Sequence, residues 1–143
     1  LILLDANVLL YAYDRASERH KTAALWLETA LSGAETVGVS WSVLLAFLRI
    51  TTSPRMLREP LSMGEAASAV SQWLERPNVR VIEPGERHWE ILRSLLVDTQ
   101  IRGGDVMDAH LAAIASEHGA TVCTHDRDFA RFPGLKTLDP LES

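Results

Sequence analysis

The chain has 143 residues, a formal net charge of −5 and 47% apolar residues. That is the length of one domain with a real core, which excludes a disordered or low-complexity chain. The acidic charge argues against a generally polyanion-binding surface, unless the acids gather round a cation that reverses the local field.

Leu1-Ile2-Leu3-Leu4 runs straight into Asp5-Ala6-Asn7. A continuous apolar run of this kind suits a strand covered on both faces. Val8 to Tyr13 reads as a first short helix, and His20 to Leu31 as an amphipathic one with Ala23, Ala24, Leu27, Ala30 and Leu31 on a stripe. Residues 36–39 form a candidate strand. Ser40 offers an N-cap to a strongly apolar helix, Trp41 to Thr51, which Ser53-Pro54 ends. Ser62-Met63-Gly64-Glu65 has the form of a capping box and opens a helix carrying Ala66, Ala69, Val70, Trp73 and Leu74. Residues 79–82 are β-branched and alternating, hence a strand. Glu86 to about Asp98 reads as a helix with Trp89, Leu92, Leu95 and Leu96 on one face. Asp105 to His118 is a further helix, with Gly119 past its end. Residues 120–123 are a short buried strand, and residues 136–138 a last edge strand.

Strands alternating with helices predict an α/β fold with a mainly parallel sheet, residues 1–143 forming one domain. Cys123 is the single cysteine, so no internal disulfide forms. The N-terminal residues lack the basic region of a signal peptide, and no apolar run is long enough to span a bilayer. A cytoplasmic location away from membranes is therefore expected.

Acids that end strands or start helices are the chemical signal. Asp5 closes the first strand, at the carboxyl edge where α/β sheets bind ligands. An acid inside so apolar a segment is costly to desolvate without a partner. Asp126 follows the fourth strand after Thr124-His125; the alternative is that it merely caps a short helix beginning at Arg127. Asp128 reads as a first-turn acid of that helix. Asp105 reads most simply as the N-cap of its helix. Asp108, three residues on, faces the same side and is less well explained by capping. Several such acids meeting at one sheet edge would repel one another unless one is protonated or a cation binds. Oxygen donors favour Mg²⁺ or Mn²⁺ over Zn²⁺. No zinc-type histidine spacing, phosphate loop or nucleophile elbow is present, and His110 and His118 read as helix-surface residues.

Three stretches, Leu3-Leu4-Asp5-Ala6-Asn7-Val8-Leu9, Asp108-Ala109-His110-Leu111-Ala112-Ala113 and Thr124-His125-Asp126-Arg127-Asp128-Phe129, resemble the signature motifs of PIN domains. Ser40 to Thr52 and Phe129 to Leu135 are similar to one subgroup of VapC toxins, the toxin halves of bacterial toxin–antitoxin (VapBC) pairs. The resemblance implies a three-layer α/β/α fold and a metal-dependent endoribonuclease. Asp5 and Asp108 match the family's principal Mg²⁺ (or Mn²⁺) ligands, and Asp126 the acid that completes the set. These three are the expected catalytic and metal-binding residues. Asn7 resembles a residue orienting the first acid, and Asp105 and Asp128 are candidate additional acids. The resemblance also implies an RNA substrate, a homodimer and a cognate antitoxin. One departure stands out: Ala46 or Phe47 occupies the place of the family's glutamate on the helix after the second strand.

Substrate grip is expected from cations outside the acids, with Arg49, Arg55, Arg58 and Arg102 as candidates. Two alternatives remain at this level. With the glutamate gone, the fold could bind RNA or protein without cutting, using the apolar helix of Trp41 and the helix of Trp73 as a docking groove. A phosphatase with Asp5 as nucleophile ranks last, because Asn7 stands where a second aspartate is needed.

Overall fold

The computed structural model describes residues 1–142. Its strands are β1 (Ile2–Leu4), β2 (Val37–Val39), β3 (Val79–Val81), β4 (Thr121–Cys123) and β5 (Thr137–Leu138). They form one sheet in the order β3-β2-β1-β4-β5, and every pairing is parallel. Parallel neighbours require crossovers, supplied by α1 (Ala6–Tyr13), α2 (His20–Leu31), α3 (Trp41–Thr51), α4 (Met63–Glu75), α5 (His88–Asp98) and α6 (Asp105–His118), and between β4 and β5 by the 3₁₀ helix Arg127–Arg131. α1 packs on α2 and α3, α3 on α4, and α5 on α6, so the sheet is the middle of three layers. Among the described residues no helix is long and apolar enough to cross a membrane.

The central position of β1 explains its composition: Ile2, Leu3 and Leu4 are all buried. β2 sits so close to its neighbours that a Cβ on Gly38 would lie 2.7 Å from Ile82 Cγ1 and 3.2 Å from the Ile2 carbonyl. Under α1 and α3, Tyr13, Phe47 and Trp73 meet edge to face, and Trp73 Nε1 donates to Tyr13 Oη at 3.2 Å. That answers the docking expectation for the Trp73 helix: Trp73 is core. The capping box of Ser62 and Glu65 is present, and Ser40 caps α3. Gly119 ends α6 at φ 67°, a left-handed conformation that favours glycine.

Four expectations are corrected. α1 starts at Ala6, two residues early, because Asp5 itself caps it: Oδ1 accepts from Ala6 N at 2.7 Å. α5 starts at His88, not Glu86. The Glu117 carboxylate takes the Gly85 and Arg87 backbone N–H groups at 2.8 and 3.0 Å and holds that turn outside the helix. Trp89 is 64% exposed. It lies roughly 90° round the helix from the middle of the packed stripe, which runs through His88, Ile91, Leu92, Leu95 and Leu96. His110 is correspondingly half-buried, with its Nδ1 3.0 Å from His88 Nε2; burial and the neighbouring His88 lower its pKa.

Candidate active site

β1 and β4 are paired in register, Leu4 opposite Cys123. The ladder runs one step further, with Asp5 N donating to the Cys123 carbonyl at 2.9 Å. The next residues, Asp5 and Thr124, therefore meet at the carboxyl edge. Thr124 Oγ1 donates to Asp5 Oδ2 at 2.7 Å, and Asn7 Nδ2 donates to the same oxygen at 3.2 Å. Asn7 Nδ2 also reaches Thr124 Oγ1 at 3.1 Å, and Asn7 Oδ1 accepts from His125 N at 3.2 Å. Asn7 thus touches the first acid, as expected. Burial raises the pKa of Asp5, the Thr124 and Ala6 hydrogen bonds oppose the rise, and the Asp126 charge adds to it.

Asp126 is an N-cap: its Oδ1 accepts from Asp128 N at 2.9 Å, opening the 3₁₀ helix Arg127–Arg131. Asp128 is an exposed acid of that first turn. His125 turns the other way. Its Nδ1 lies 2.8 Å from Asp139 Oδ2, and its Nε2 accepts from Arg19 Nε at 3.0 Å. Those partners assign the proton to Nδ1. Arg19 also lies over the Tyr11 ring.

The third segment is the start of α6. Asp105 is its first residue rather than its N-cap; Gly104 holds the cap position without a side-chain bond. Instead Asp105 Oδ2 lies 3.4 Å from Arg131 Nη1, and Asp108 Oδ2 lies 3.6 Å from Arg131 Nη2. The pKa of Asp108 is pushed up to about 6 by burial, then by the Asp5 and Asp126 charges, with Arg131 opposing and Asp105 adding a little.

A cleft of about 790 Å³ opens in front of Asp5 and Asp108, walled by Ser42, Val43, Leu45, Ala46 and Arg49 of α3 and by Gly104, Met107 and Leu111. The place of the expected glutamate is thereby decided: Ala46 faces the cleft and Phe47 is in the core. Arg49 lines the cleft, whereas Arg55, Arg58 and Arg102 are exposed and are not among its walls.

As the side chains are placed, no three His, Cys, Asp or Glu groups among the described residues stand close enough to grip one ion. Each acid is engaged elsewhere: Asp5 by Thr124, Asn7 and Ala6, Asp126 by its cap, Asp108 by Arg131. The donor chemistry nonetheless fits a hard divalent cation. The groups are all oxygens, and beside burial the Asp126 charge raises the pKa of Asp5, while the Asp5 and Asp126 charges raise that of Asp108 against a single guanidinium.

Thr124, Arg131, Arg19 and Asp139 had not been singled out from the sequence. Asp139 obeys the rule that found Asp5, an acid directly after a strand. Thr124 follows from pairing the first and fourth strands in register. Arg131 and Arg19 carried no local signal.

A family model described as the PIN domain matches residues 2–135. The chain belongs to the PIN-domain family. Within it, the VapC ribonucleases are its relatives: this PIN domain is 43% identical over 138 residues to Ribonuclease VapC37 of Mycobacterium tuberculosis, covering 96% of each chain. It is 39% identical over 142 residues to Ribonuclease VapC43 of the same organism, covering 99% of this chain and 97% of the other. Among solved structures, VapBC2 of Rickettsia felis bound to a promoter DNA fragment matches with TM-score 0.70 at 19% identity, covering 96% of each chain. The sarcin–ricin-loop-cleaving toxin VapC20 of M. tuberculosis matches with TM-score 0.68 at 22% identity, covering 95% and 99%. These distant structures share the α/β/α fold described above.

Proposed function

We propose that this PIN domain is an Mg²⁺- or Mn²⁺-dependent endoribonuclease, the toxin of a toxin–antitoxin pair, with residues 1–143 acting as one domain. The observation that supports the reading is that Asp5 and Asp108, from separate chain segments, line one cleft, with the charge of Asp126 acting on both. Asp5, Asp108 and Asp126 would hold the ion. When bound, it supplies Lewis-acid polarisation of the scissile phosphate and a lower pKa for water.

The protein's own part is positioning. Thr124 and Asn7 fix Asp5 Oδ2, and the His125 backbone N–H fixes the Asn7 amide. Asp126 is locked through Oδ1 by its cap bond. Arg49 lines the cleft wall, which supports a role for it in meeting an RNA phosphate. Exposed Leu45 and Met107 on the same walls, with Trp41 and Val106 beside them, offer apolar surface to an antitoxin or a second copy of the chain.

One observation favours a non-cleaving binding module: Ala46 faces the cleft where a glutamate would add a further ligand. A single assay separates the two. The purified chain is incubated with structured RNA and Mg²⁺ or Mn²⁺, beside Asp5→Asn and Asp108→Asn. Cleavage abolished by EDTA and by either substitution is the expected result. Cleavage that survives EDTA overturns metal dependence. RNA binding without cleavage in either metal establishes the binding module.

A further inference from the structure

Arg131 closes the 3₁₀ helix and stacks 5.0 Å from the Phe132 ring centroid, its side chain 29% exposed. Its guanidinium lies between two carboxylates of α6, 3.4 Å from Asp105 and 3.6 Å from Asp108. Charge-assisted hydrogen bonds are shorter, about 2.7–2.9 Å. Arg131 Nε and Nη2 are out of solvent and have no hydrogen-bond partner among the described residues. Buried donors left in this way are costly, so packing alone does not account for the arrangement. Arg131 acts here by charge, at the ion-pair contact with Asp108, and not by a fixed set of bonds.

We propose that Arg131 is the resident counter-charge of the acidic site: a positioning residue that steadies Asp105 and Asp108 while no divalent ion is bound, and competes with the ion for Asp108. Asp105 then has a role other than metal ligand. It is half-exposed and holds Arg131 through Nη1, so it retains the guanidinium when Asp108 turns to the ion. The inference rests on the metal-dependent reading above. It gives the two partners opposite effects on the ion. Removing Arg131 removes a competitor and a like charge, so the ion binds more tightly. Removing the Asp105 charge leaves Arg131 with Asp108 alone, so the ion binds more weakly.

The test is a Mn²⁺ titration of the full chain, read by the electron paramagnetic resonance signal of free Mn²⁺, with melting temperatures taken with and without the ion. Arg131→Met is expected to tighten Mn²⁺ binding roughly three- to tenfold, modest because a part-exposed charge is screened. It is also expected to lower the melting temperature of the metal-free protein, a deficit that closes at saturating Mn²⁺. Arg131→Lys, which keeps the charge, stays near wild type, and Asp105→Asn binds Mn²⁺ more weakly. Unchanged or weaker binding by Arg131→Met, or a deficit of equal size with and without Mn²⁺, overturns the inference and leaves a structural arginine. No Mn²⁺ binding by the wild type overturns the metal-dependent reading and this inference together.

Discussion

On the strand side of the acidic site, Asp5 accepts three hydrogen bonds at 2.7–3.2 Å, from Ala6, Thr124 and Asn7. On the helix side, Asp108 accepts none among the described residues; its ion-pair contact is a guanidinium at 3.6 Å, and the charges of Asp5, Asp126 and Asp105 act against it. The strand side has its geometry set by the register of β1 and β4, while the helix side has charge proximity without directional bonds. The difference teaches a division of labour: one acid is pre-organised, and the other, held without directional bonds, would be free to reorient toward the ion that the proposed function requires.

The largest expected effect removes a ligand from either side. Asp5→Asn and Asp108→Asn should each lower RNA cleavage by about 10²–10³-fold, because charge stabilisation is most of what the site supplies. Equal activity of either variant and wild type in a gel-based cleavage assay would sink the assignment.

Next is the bond network on the strand side alone. Thr124→Val keeps the shape and deletes the hydroxyl that joins Asp5, Asn7 and the Asp126 backbone N–H. Activity should fall by about 10–100-fold. Stability should fall by roughly 1–3 kcal/mol in urea titration, because buried groups lose their partner. If activity and stability are both unaffected, pre-organisation of Asp5 is not what Thr124 provides.

A smaller effect comes from adding a carboxylate at the cleft wall. Ala46→Glu should tighten Mn²⁺ binding by roughly a few-fold, since affinity for hard cations follows ligand charge. Titration calorimetry reads it, and weaker binding would mean that Ala46 does not face the ion.

The smallest effect is on the melting curve of the metal-free protein. Asp108 holds its proton more tightly folded, at about 6, than at the ordinary 3.8. Between those values the native state binds more protons than the unfolded chain, so stability falls as pH rises through the window. Asp108→Asn should therefore raise the melting temperature at pH 7–8 by a few degrees, roughly, and make no difference below pH 3.8. A lower melting temperature at pH 7–8 would show that the ion pair with Arg131 outweighs the burial and repulsion.

Much of this was legible in the chain itself. The apolar runs at Ile2–Leu4 and Thr121–Cys123 mark buried parallel strands, because only a strand covered on both faces tolerates such a run. Ser40, Ser62 and Gly119 mark helix ends, since capping depends on residues adjacent in sequence. Asp5, Asp108 and Asp126 stood out as acids at strand ends and in a first helical turn. Trp89 is exposed against the expectation because several apolar residues share a helical spacing, and only the position of α6 chooses the stripe that is buried.

Local interactions, which reach only a few residues along the chain, determine that the elements exist and mark the caps of α3 and α4, while the starts of α1, α5 and α6 differ from the sequence reading. The tertiary structure alone decided the partners. Thr124 meets Asp5 across 119 positions because β1 and β4 lie in register. Arg131 meets Asp105 across 26 because the turn after β4 folds back over the start of α6. Ala46, not Phe47, faces the cleft because α3 buries Phe47 against Tyr13 and Trp73. Charge and hydrogen bonding act through space, and the acid that opens the chain gets its chemistry from residues that only the folded sheet brings beside it.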